Sequence, residues 1–173
     1  MADQEPNAGG NGVDDNGQPQ VSILAQYVKD LSVENPSAPQ VYSWQVQPQL
    51  DVQFNLSVDG AGEGVHQVTL KFDISARSDN GVHFMIELAY AGLFALRNVP
   101  EEALPPFLMI EAPRLLFPFA RQVISDAVSS TGFAPLMLDP IDFASAYMAQ
   151  VEAAQQQAGA GGNGGSEQAP TEA

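Results

Sequence analysis

"LDVQFNLSVDGAGEGVHQVTLKFDISAR", Leu50 to Arg77, is two alternating runs around a glycine-rich turn. Successive side chains of an extended chain point to opposite faces. Leu50, Val52, Phe54, Leu56 and Val58 therefore share one face, with Asp51, Gln53, Asn55 and Ser57 opposite. The second run sets Val68, Leu70, Phe72, Ile74 and Ala76 against Thr69, Lys71, Asp73, Ser75 and Arg77. Joined by "DGAGEG" (59–64), the two predict an antiparallel hairpin. Asn80-Gly81 is a second turn signal, and it opens a third run. Phe84, Ile86, Leu88, Tyr90, Phe94 and Leu96 form its apolar face, with His83, Met85, Glu87, Ala89, Ala91, Leu93 and Ala95 opposite. An opening strand at about 22–34 makes four, and the simplest order is an antiparallel meander.

Beyond residue 98 the period becomes helical. Leu116, Phe117, Ala120, Ile124, Ala127 and Val128 fall on one stripe, with Pro118 in the first turn and Gly132 as the stop. A second helix opens near Asp139-Pro140 or Asp142 and carries Phe143, Tyr147, Met148 and Val151. Between sheet and helices, residues 101–113 are apolar, and Pro105-Pro106 argues against one regular helix there. Strands followed by helices read as an α+β fold, a four-stranded antiparallel sheet with C-terminal helices on one face.

The tails, 1–20 and 154–173, are rich in Gly, Gln, Asn and Ala and are expected to be disordered around a domain at 21–153. The net charge is −15, from 21 acids against six bases. Such a surface repels phosphates, so nucleic acid is an unexpected partner and a basic one is favoured. No cysteine is present, which removes disulfides and thiolate metal sites. Residues 1–17 lack the basic and apolar regions of a secretory signal, and no apolar stretch is long enough to span a bilayer. A soluble, cytoplasmic protein is expected, without direct membrane insertion.

Catalytic chemistry is sparse. His66 and His83 lack carboxylate or thiolate neighbours at ligand spacing and read as solvent-edge residues. No nucleophile elbow or phosphate-binding loop occurs. Asp30 and Glu34 share a strand face, yet four residues of strand separate them by roughly 13 Å, too far for a working carboxylate pair. No enzyme, cofactor or metal is expected. On spacing alone these acids read as the solvated face of an edge strand. Their apolar-flanked counterpart Glu87, near Met85, Ala89 and Leu93, points instead to a docking patch or an oligomer contact.

"YVKDLSVENPSAP" (27–39), "ELAYAGLF" (87–94) and "APRLLFPFARQVISDAVSSTGFAPLMLDPIDF" (112–143) together resemble the bacterial protein-export chaperone family SecB, over about residues 21–152. The resemblance implies an assembly of four chains as a dimer of dimers. It also implies ATP-independent binding of non-native precursor proteins and their delivery to the SecA translocase ATPase. The family's SecA-docking positions correspond to Asp30, Glu34, Met85 and Glu87. Its client-binding groove lies beside the crossover segment, here "SAPQVYSWQVQP" (37–48), so Tyr42, Trp44 and Val46 are its expected lining. Trp44 departs from the family, whose Trp directly precedes Gln-Pro; Val46 holds that place here. The alternative is a non-catalytic acidic adaptor for a single folded partner, which would not bind many unrelated unfolded chains.

Overall fold

The computed structural model describes residues 17–160. Four long strands, β1 (Gln20–Glu34), β2 (Gln49–Gly62), β3 (Val65–Ser78) and β4 (Gly81–Arg97), form one antiparallel sheet. Its order is β1-β4-β3-β2. The meander expectation therefore holds only for β2 to β4. The connection over 35–48 carries the chain from β1 across to β2, leaving β1 beside β4 in the order of a Greek key.

The alternation sets the two faces as the sequence predicts. Val68, Leu70, Phe72, Ile74 and Ala76 of β3 are buried, as are Phe84, Ile86, Leu88, Tyr90, Phe94 and Leu96 of β4. β1 needs two bulges, between Ile23 and Ala25 and between Val28 and Asp30, to keep its apolar residues on this side. After the second, Leu31 pairs with Leu88 and Val33 with Ile86, so both share the inner face.

A short α-turn, α1 (Leu104–Pro106), runs into a π-helical stretch (Phe107–Glu111) and then α2 (Ala112–Ser130). Pro105 and Pro106 sit at the start of this path, where their missing N–H groups cost little. The wider π turn precedes Pro113, which has no N–H to close an α-turn onto Met109. Helix α2 begins earlier than its stripe indicated, so Pro118 lies inside it rather than in its first turn. The side chain there is exposed, and the Arg114 carbonyl it leaves without an α-helical partner belongs to an exposed residue. Leu116, Phe117, Ala120, Ile124, Ala127 and Val128 are all buried against β3 and β4. Gly92 permits this close approach, since a Cβ there would lie 2.6 Å from Leu116 Cδ2.

Helix α3 (Phe143–Ala160) is anchored by buried Phe143 and is otherwise mostly exposed as far as residue 157. It runs beyond the expected domain end at residue 153, because Ala and Gln are good helix formers. The remaining expected tail, 1–16 and 161–173, lies outside the described residues. No helix among the described residues is long and apolar enough to cross a membrane.

Candidate functional site

Two surfaces gather the residues that the sequence singled out. The first is the outer sheet face. Antiparallel register pairs Glu34 with Met85, Ser32 with Glu87 and Asp30 with Ala89. Directly paired residues share a face, so Asp30, Glu34, Met85 and Glu87 lie together. This depends on the crossover, since a plain meander would have left β1 beside β2. Asp30, Glu34 and Glu87 are exposed, and Met85 is half-buried. None of the three carboxylates has an ion-pair partner among the described residues.

The same register adds Asp73 opposite Glu87 and Asp51 opposite Ser75. Like charges directly opposite oppose strand pairing, and Lys71, beside Ala89 in the next register position, offsets part of this repulsion. The Arg77 guanidinium donates weakly to Met85 Sδ at 3.6 Å. The alternation of β3 and β2 already marked Asp73 and Asp51 as outer residues; what it lacked was the neighbour each would meet.

The second surface is the crossover. Tyr42, Trp44 and Val46 do not line one side of an extended chain, because Gln40–Ser43 forms a 3-10 turn with Val41 buried beneath it. Tyr42 and Trp44 are nevertheless brought together through Phe133, which the sequence reading did not place, and His83, which it placed at the solvent edge. Ring centroids run from Tyr42 to Phe133 (5.8 Å), Phe133 to His83 (5.9 Å) and His83 to Trp44 (5.1 Å). Val46 lies outside this row, at the rim of a shallow depression with Gln49, Arg77 and Asp79.

His83 is a correction. It is 3% exposed rather than a solvent-edge residue, with Nε2 2.9 Å from Ser78 Oγ. The β3–β4 register shifts between Ala76 and Arg77, and the bulge turns His83 toward Phe133, on the side of Phe84. The signal that could have located it was its place next to the Asn80-Gly81 turn, since some hairpin loops carry a bulge. Among the described residues no three His, Cys, Asp or Glu side chains gather as a metal site requires.

Trp44 is half-buried and rests on Gly81, whose added Cβ would come within 3.2 Å of the indole. Tyr42 is 55% and Val46 40% exposed. Further apolar surface is open on the inner face of the edge strands, at Val28, Leu31 and Val33 of β1 and Leu50, Val52 and Phe54 of β2. Between Phe54, Leu56, Met109, Phe143 and Tyr147 a cleft separates β2 from α3.

The family described as preprotein translocase subunit SecB matches residues 14–154. A protein-export protein SecB of Zymomonas mobilis is 58% identical over 134 residues, covering 78% of this chain and 82% of that one. The SecB of Erythrobacter litoralis is 50% identical over 162 residues, covering 92% and 90%. Among solved structures, the SecB-like chaperone Rv1957 of Mycobacterium tuberculosis, in complex with a ChAD peptide from the HigA1 antitoxin, aligns with a TM-score of 0.57. That alignment covers 70% of this chain and 90% of the other at 16% identity, a likeness of fold.

Proposed function

The chain belongs to the SecB family of protein-export chaperones, and from that premise we propose that it holds non-native precursor proteins without ATP and delivers them to the SecA ATPase in the cytoplasm. The observation that carries the reading is the register that joins Asp30, Glu34, Met85 and Glu87 on the outer face. Unpaired, exposed carboxylates around a thioether suit a basic partner with an apolar contact, and such charges steer docking without supporting the core. Client capture is assigned to the crossover surface, with Tyr42, Trp44 and Val46 beside open apolar strand edges. Burial of apolar client segments there favours the unfolded chain over the native one, in which those segments are already covered. No chemical step is required, and the protein is not an enzyme on this reading. The working unit is a homotetramer, a dimer of dimers. Incubating the protein with one polypeptide in unfolded and in native form, without nucleotide, tests the reading: the unfolded form alone is retained.

A further inference from the structure

We infer that Asn35 is a positioning residue for the client groove, holding the crossover arm against the end of α2. The inference rests on the reading of the crossover as a groove wall. Three elements meet at one carbonyl. Asn35 Nδ2, just past β1, donates to Thr131 O at 3.2 Å and to Tyr42 Oη at 2.8 Å. Tyr42 Oη, on the arm, donates to the same Thr131 O at 2.7 Å. Because a carbonyl only accepts, the amide must present its nitrogen there, and its orientation is fixed. Asn35 Oδ1 is left buried without a partner among the described residues, a cost the two bonds must offset.

The acceptor is itself immobilised. Thr131 is buried, ends α2 and donates its hydroxyl to Val128 O at 2.6 Å. Gly132 follows at φ +86°, and a Cβ there would come within 3.1 Å of the Tyr42 ring, so the ring lies directly on the helix end. Farther along the arm, Trp44 rests on Gly81 and His83. The arm is thus pinned at two points, with Tyr42 and Val46 exposed along it. A wall already in place spares the client the cost of ordering it, and this is how a residue outside the groove contributes to affinity.

Trp44 is the single tryptophan and reports arm position without a label. The experiment compares wild type, Asn35→Ala, Asn35→Asp and Tyr42→Phe for acrylamide quenching of Trp44, affinity for a chemically unfolded tryptophan-free polypeptide, and melting temperature. Asp is nearly isosteric but turns an acceptor toward the Thr131 carbonyl. Phe keeps the ring and removes both bonds of the Tyr42 hydroxyl, leaving only the one from Asn35 to Thr131 O. Both Asn35 variants and Tyr42→Phe should raise quenching about twofold and weaken capture about tenfold. Measurements are made below each variant's melting transition, and Tyr42→Phe serves if an Asn35 variant fails to fold. Unchanged quenching, or raised quenching with capture within twofold of wild type, would overturn the inference while leaving the chaperone reading intact. A wild type that captures nothing would remove that reading and this inference with it.

Discussion

Asp30 and Glu87 stand on neighbouring strands one register step apart, exposed and without ion-pair partners among the described residues. Replacing both by Lys should weaken binding to the SecA ATPase by tenfold or more, about 1.4 kcal/mol, and leave capture of an unfolded polypeptide within twofold. A binding assay for each activity on the double variant checks this. Loss of both together would mean that the acids serve folding or assembly. Added salt should reproduce part of the effect, because exposed charges are screened beyond about 8–10 Å. At this scale the sequence was legible for the acids, since even spacing in a strand fixes their face. It was not legible for His83, because a bulge breaks the parity on which such a reading depends. Nor did anything local to Asn35 point to Thr131, 96 residues away.

The elements repeat that division. β2, β3 and the inner face of β4 follow from period two alone, and the buried stripe of α2 from helical spacing. The neighbour of β1 does not, because the 35–48 connection is held by contacts with residues far along the chain. The start of α2 was hidden by prolines that a π turn accommodates. Helix α3 was legible at its cap. Asp142 Oδ1 accepts the Ser145 N–H at 3.0 Å and Oδ2 accepts the Ser145 hydroxyl at 2.8 Å. The backbone bond first, then the hydroxyl, holds the Asp142 carboxyl below its ordinary 3.8. A depressed carboxyl contributes stability that is present above the unfolded value and lost as pH falls through the folded one. The first turn of α3 should therefore fray on acidification below 3.8. The Ser145 amide resonance should titrate with a midpoint below that of an unfolded-chain Asp, and the titration should vanish in Asp142→Ala. A midpoint at or above the ordinary value would refute the capping account.

For the whole molecule, the open question is what covers its apolar edges. In the apolar 101–113 segment Leu108 is buried, and Phe107, Met109 and Ile110 are half-buried. The larger uncovered set is on β1, the start of β2, and Leu115 and Phe119 of α2. Closed symmetric association is the usual way to bury such surface. Four chains of 18.4 kDa should give a particle of about 74 kDa by light scattering at micromolar concentration, and a monomer alone would contradict the proposed assembly. Clients are proposed to bind whatever apolar surface that particle leaves open. One precursor polypeptide, diluted from denaturant into buffer without nucleotide, should bind the protein and fold more slowly in its presence, while the same polypeptide added folded should not bind. Equal binding of both forms, or binding of the folded form alone, would identify an adaptor for a folded partner and contradict the chaperone reading.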